Sequence, residues 1–169
     1  MSRLSIKSSG FTLIELLITL ALVGILASAA LPLNEVIGTR TKESELRSAL
    51  RSIRTALDAY KAASDSGQIP RRAGESGYPP NLDLLAEGIE IGDPMATTLT
   101  GTAASRRIVF LRRVPRDPFH ADPNASAAST WMTRSYGSPP EAPESGADVY
   151  DVASSSPRTG TNGIPYRQW

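Results

Sequence analysis

The side chain with the most to explain is Glu15, the single charge in an apolar run from Phe11 to Leu33. An ionised group inside bilayer hydrocarbon costs roughly 2.5–3.5 kcal/mol at mid-helix on insertion scales, and less near an end, so this carboxylate calls for a role. The rest of the chemical inventory is thin. There is no cysteine, which excludes disulfides, thiolate zinc sites and thiol catalysis. The one histidine, His120, lies in a turn rich in Pro, Asp and Asn and reads as a solvated loop residue. No Gly-x-Ser-x-Gly, phosphate loop or metal-spaced histidine pair is present, so the sequence points away from an enzyme. Arg106, Arg107, Arg112, Arg113 and Arg116 form a basic cluster, but residues alternate faces along a strand and Phe110 alone is interleaved. That pattern suits a charge-protected edge strand better than a nucleic-acid surface. A net charge of +1 with 21% charged residues gives no bulk electrostatic case for nucleic acid or acidic lipid.

The elements that must position Glu15 come next. At 169 residues the chain has room for one domain, and its start is too apolar for a soluble core. Phe11–Leu33 is long enough to span a bilayer, since about 20 helical residues cover a hydrocarbon layer of about 30 Å. Arg3 and Lys7 precede it, which keeps the amino end cytoplasmic and exports the remainder. Three readings are open at this point. One is a plain amino-terminal anchor. A second is a cleaved secretory signal ending at the small triplet Ala27-Ser28-Ala29, although the apolar stretch contains Glu15 and the helical pattern continues past the cut. The third is a segment whose carboxylate is functional.

Beyond Pro32, which is expected to kink a continuing helix, Leu46, Leu50, Ile53, Leu57 and Tyr60 recur at alternating intervals of four and three. That is one narrow apolar stripe on a helix ending near Gly67, and it needs a sheet or a partner helix to cover it. Ala49, Ala56 and Ala63 repeat beside it and allow close approach. A second, short helix is signalled by "YPPNLDLLAEG", with Asn81 as cap, Leu82, Leu84 and Leu85 as apolar face and Gly88 as stop. Ile89–Ser105 reads as a loop, and strands are expected in Arg106–Val114, "TWMTRSYG" and "ADVYDVAS". Three short strands with one face on the long helix suit an α+β head with a small antiparallel sheet.

The leader ending in Gly10, the Phe-Thr-Leu-Ile-Glu of Phe11–Glu15 and the apolar run with Pro32 resemble the class III signal of type IV pilins and type II secretion pseudopilins. The landmarks "YPPNLDLL", "VPRDPF", "VYDVAS" and "GTNGIPYRQW" look like those of the major-pseudopilin branch. The resemblance implies a prepilin peptidase that cuts between Gly10 and Phe11 and methylates the new amino terminus at Phe11. The cation so created on a neighbouring subunit would meet Glu15, an ion pair strengthened by low dielectric where its geometry offsets desolvation. It also implies a leader over 1–10, a membrane and filament-core helix over 11–33, an amphipathic continuation over 34–67 and a periplasmic head over 68–169. Its partners would be copies of itself in a helical filament, minor pseudopilins, and an inner-membrane assembly platform with its ATPase. The chain would cross the bacterial inner membrane once, with its amino terminus cytoplasmic. The family likeness further implies calcium in the last loop, where Asp117, Asp148, Asp151 and the neutral oxygen of Asn162 are the available donors, yet "SSSPRTGTNG" carries no carboxylate. No other cofactor is expected. A true pilus pilin, a DNA-uptake filament and a passive anchored binding domain are the alternatives.

Overall fold

The computed structural model describes residues 10–92 and 105–169, with the backbone alone described over 29–35. The order of elements is α1 (Leu13–Asp65), α2 (Asp83–Glu87), β1 (Ile89–Gly92), β2 (Ser105–Ile108), β3 (Trp131–Arg134) and β4 (Asp151–Ser154), with 3-10 turns at Ala128–Thr130 and Tyr166–Gln168. The chain divides into two compact units that meet between Thr41 and Lys42, within α1.

The first unit is helix. Thr12 opens it, its Oγ1 accepting the Glu15 N–H at 3.3 Å, which satisfies one of the orphan donors of the first turn. The backbone stays helical through position 32. The side chain of Pro32 lies outside the described residues, as do the first nine residues of the leader expected over 1–10.

The second unit is the head. The predicted stripe is its spine: Leu46, Leu50, Ile53, Leu57 and Tyr60 are all buried, and so are Ala49 and Ala56. Facing them are Leu82 and Leu85 of the α2 segment, Val114, Trp131, Val152 and Tyr166. Full burial of each Leu or Ile contributes about 1.5–3 kcal/mol, so this stripe organises the head. The helix stops where Gly67 takes φ +78°, and the Gln68 N–H returns to the Ala63 carbonyl at 3.0 Å.

Asn81 caps α2 as its sequence predicts, Oδ1 accepting the Leu84 N–H at 2.9 Å. Gly88 ends it at φ +80°, and an added Cβ there would stand 2.7 Å from the Ile108 carbonyl oxygen. That backbone approach belongs to a hairpin the sequence reading did not contain. Ile89–Gly92, expected to begin a loop, is strand β1, paired antiparallel to β2 from Ile89↔Ile108 to Gly92↔Ser105. The central part of the expected loop, 93–104, lies outside the described residues. The strand expected over Arg106–Val114 ends at Ile108, because the Phe110 and Leu111 N–H groups both turn to the Leu85 carbonyl, at 3.0 and 2.9 Å, instead of continuing the ladder. The other two strands form as expected and pair antiparallel, Trp131↔Ser154 to Arg134↔Asp151. The head therefore carries two two-stranded sheets where one three-stranded sheet was expected, and the class remains α+β with a long amino-terminal helix.

Candidate functional site

At the amino-terminal end, apolar side chains cover every side of α1. Phe11 is 79% exposed, and the consecutive Leu16, Leu17 and Ile18 are 64%, 54% and 54% exposed. Successive residues on a helix are about 100° apart, so three in a row cannot share a face. A helix apolar all round is stable only when something outside it covers it, whether lipid or other helices. Among the described residues no helix is long and apolar enough to cross a membrane. The fully described apolar stretch, Leu13–Ser28, covers roughly 24 Å, and the run continues to Leu33 over positions whose side chains are not described.

Glu15 sits at the third helical position, within the first turn, where the macrodipole favours an anion. Its backbone is committed to the Thr12 cap. Among the described residues its carboxylate has no hydrogen-bond or ion-pair partner. Thr12-Leu13-Ile14-Glu15 has the Thr-x-x-Glu form of a capping box, a signal that a search for chemistry alone passes over. Only the Thr12 half of that box is made.

At the other end the structure keeps the four candidate calcium donors apart. Asp117 is buried at 3% exposure, with Oδ2 accepting the Ser154 hydroxyl at 2.5 Å and Oδ1 the Phe119 N–H at 2.8 Å. Asp148 accepts the Ser135 hydroxyl and the Tyr136 N–H, both at 2.8 Å. Burial pushes its carboxyl up, but hydrogen bonds from Ser76, Tyr136 and Ser135 more than offset this and hold it below the usual carboxylate range. Asp151 pairs with Arg54 Nε at 2.8 Å. Arg54 also donates to the Val152 and Trp169 carbonyls, tying β4 and the tail to α1. Asn162 Oδ1 accepts the Ile164 N–H at 3.1 Å within its own turn. Calcium needs six to eight converging oxygens. These four serve four separate local jobs, and among the described residues no three acidic or metal-ligating side chains converge. The donor set does not fit the ion. His120 is on Ser155, Nδ1 to Oγ at 3.0 Å, while the nearby Asp117 carboxylate serves Ser154 and Phe119.

The residue that holds the carboxyl-terminal turn is one the sequence reading missed. Glu43 is 3% exposed. Its Oε1 accepts the Thr161 N–H at 2.6 Å and the Tyr166 hydroxyl at 3.0 Å, and its Oε2 accepts the Thr161 hydroxyl at 2.7 Å. Burial pushes this carboxyl up, but the Thr161 donors, the Tyr166 hydroxyl and the Arg47 charge together outweigh it and hold it below the usual carboxylate range. The signal for Glu43 was present in the pattern, for it stands three residues before Leu46, one more step along the same stripe.

Residues 6–31 match the prokaryotic N-terminal methylation motif. Among curated proteins the chain is 35% identical over 85 residues to the type IV major pilin protein PilA of Myxococcus xanthus, a match that covers 46% of this chain and 39% of the relative. It is 30% identical over 99 residues to a fimbrial protein of Neisseria meningitidis, covering 59% of this chain and 57% of the relative. The chain thus spans 39% and 57% of the lengths of these two relatives, less than two thirds of either. No solved structure matches. At its amino-terminal motif, and over part of its length, the chain is thus similar to type IV pilin proteins. The motif also implies membrane anchoring.

Proposed function

We propose that this chain is a type IV pilin-like filament subunit, cut between Gly10 and Phe11, methylated at Phe11, stored in the inner membrane and assembled through its amino-terminal helix. The observation that carries this reading is the helix exposed and apolar on every side, within the methylation motif at 6–31. An apolar cylinder of this kind is satisfied first by lipid and then by the same helix of other copies, so one surface serves both storage and assembly. Glu15 would pair with the Phe11 amine of a neighbouring copy and set register, and Pro32 would give the helix room to bend. A prepilin peptidase, an assembly platform with its ATPase and minor pseudopilins are the partners this reading requires. The finer assignment is a type II secretion pseudopilus, supported by the order of landmarks from "YPPNLDLL" to "GTNGIPYRQW". The two pilin relatives favour the second reading, a true pilus.

The test is a pair of variants. Glu15→Ala is expected to be cut and methylated at Phe11, read by mass spectrometry of the amino-terminal peptide, and to yield no filaments by electron microscopy. Thr12→Ala, which removes the cap and keeps the carboxylate, is expected to assemble, with a helix weakened by about 1 kcal/mol. Normal filaments from Glu15→Ala would sink the pairing. A secretion assay in a strain lacking the chain distinguishes pseudopilus from pilus.

A further inference from the structure

A calcium ion would give the carboxyl-terminal turn an anchor, and the donors for one do not converge, yet the turn is well held. Glu43 supplies the anchor. It is the first buried residue on α1 after the exposed positions 36–38 and 40–42. The turn it meets is shaped by the Gly160 N–H on the Ile164 carbonyl at 2.9 Å, the Gly163 N–H on the Gly160 carbonyl at 2.9 Å, and Gly163 at φ +79°. Pro165 pairs with Thr159 across its neck. Tyr166 closes it, fully buried, stacked on Phe119 at 4.2 Å between centroids and met edge-on by Trp169 at 5.0 Å. Arg47, one turn along α1 from Glu43, covers the Trp169 ring at 4.3 Å.

Three donors therefore point at the Glu43 carboxylate, two from Thr161 and one from Tyr166. A buried carboxylate is tolerated when such donors replace its water, and bonds to an ionised acceptor are the strong kind. Three of the roughly four lone-pair directions of the carboxylate are taken by N–H and O–H hydrogens, which leaves little room for a cation at that point. We infer that Glu43 is a metal-independent clasp, fastening the Thr159–Tyr166 turn to the first turn of α1 inside the head and removing any need for a divalent ion there. The clasp holds whether or not the chain assembles into filaments.

The experiment is hydrogen exchange by mass spectrometry on the full chain in detergent. It compares wild type in millimolar calcium chloride, in excess chelator and in neither, alongside Glu43→Ala and Tyr166→Phe. The expected wild-type result is the same protection of residues 159–169 in all three buffers. Glu43→Ala is expected to speed exchange in 159–166 and in the first turn from residue 43 by roughly tenfold to a hundredfold, while Ile53–Tyr60 stays protected. Tyr166→Phe, which keeps the ring packing and removes one donor, is expected to give a smaller rise in the same turn. Slower wild-type exchange of the turn on adding calcium would overturn the clasp, as would an unchanged turn in Glu43→Ala. If Glu43→Ala does not fold, Glu43→Gln decides the matter: it keeps the shape but turns an amide donor toward existing donors, and an unchanged turn in that variant overturns the proposal equally.

Discussion

The two halves of α1 are built on opposite patterns. From Lys42 to Asp65 the large apolar residues form one stripe, and none of Leu46, Leu50, Ile53, Leu57 and Tyr60 is more than 7% exposed. From Leu13 to Ser28 apolar residues go all round, and even the best covered of the large ones, Leu17 and Ile18, are 54% exposed. A stripe one side chain wide has its partner in the same chain, here α2, Trp131, Val152 and Tyr166. A cylinder apolar on all sides has its partner outside the chain. The charged residues follow the same division. Glu43 and Arg54, on the head half, are committed to intramolecular donors and acceptors, whereas the Glu15 carboxylate has no partner among the described residues.

The widest gap between the halves should appear on truncation. Ile53→Ala is expected to lower the head's unfolding free energy by about 2–5 kcal/mol, since it empties a fully buried site. Leu22→Ala, 56% exposed at the wild-type residue, should change it by less than about 0.5 kcal/mol while reducing assembly. Guanidinium unfolding followed by the fluorescence of the buried Trp131 measures both. Comparable losses in the two variants would break the comparison.

A somewhat smaller effect sharpens how closely the head half closes on the tail. A Cβ at Gly160 would stand 2.5 Å from the Trp169 ring and 2.8 Å from Asn162 Oδ1, so Gly160→Ala should cost about 1–3 kcal/mol in the same unfolding assay. A stable Gly160→Ala would mean that Trp169 is free to move aside.

Periodicity made much of this arrangement legible. The stripe, the Asn81 cap, the Gly67 stop and the strands at Trp131 and Asp151 all follow from local pattern, because local pattern is what positions them. The β1–β2 hairpin was not legible. Its first strand is four residues long, "IEIG", and its partner lies beyond a long small-residue connector, so neither alternation nor a short turn announces it. Glu43 was hidden for a different reason. Its register on the stripe was readable, but its partners are 118 and 123 residues away, and a charged residue in an apolar register is read as the end of the stripe unless a distant donor is known. Asp117, Asp148, Asp151 and Asn162 share a donor chemistry that sequence can count, whereas their convergence depends on the fold.

Acid should separate the halves next. Glu43 and Asp148 both have folded-state pKa values below their usual ones. A carboxyl depressed in the folded state adds stability that is complete above its unfolded pKa, about 4.3 for Glu and 3.9 for Asp, and that drains away as pH falls through the depressed value. The groups facing Glu43 are Arg47 on its own helix, and Tyr166, itself pushed up first by burial and then by Glu43. Tyr166, pushed further up, stays neutral through the acid range, so the titrating group is the carboxyl. Head melting temperature is therefore expected to be flat from about pH 7 to pH 5 and to fall below about pH 4.5. Glu43→Gln should melt lower at pH 7 and show a shallower acid fall. An equally steep fall in that variant would assign the acid sensitivity elsewhere.

The smallest expected effect lies on the β1–β2 hairpin, in the cross-strand pair Glu90↔Arg107, whose Oε1 and Nη2 stand 3.2 Å apart. The two side chains are 64% and 61% exposed, which places the pair in high dielectric, where ion pairs contribute about 0–1 kcal/mol and salt screens what remains. A double-mutant cycle with Glu90→Ala and Arg107→Ala should give a coupling below about 1 kcal/mol that vanishes in high salt. The pair's use is on the solvent edge of the hairpin, where charge discourages pairing with another strand. A coupling of several kcal/mol, insensitive to salt, would mean that something covers this hairpin as thoroughly as the head covers Ile53. The division between a self-satisfied head and an amino-terminal helix that looks outward would then need a second outward-looking surface.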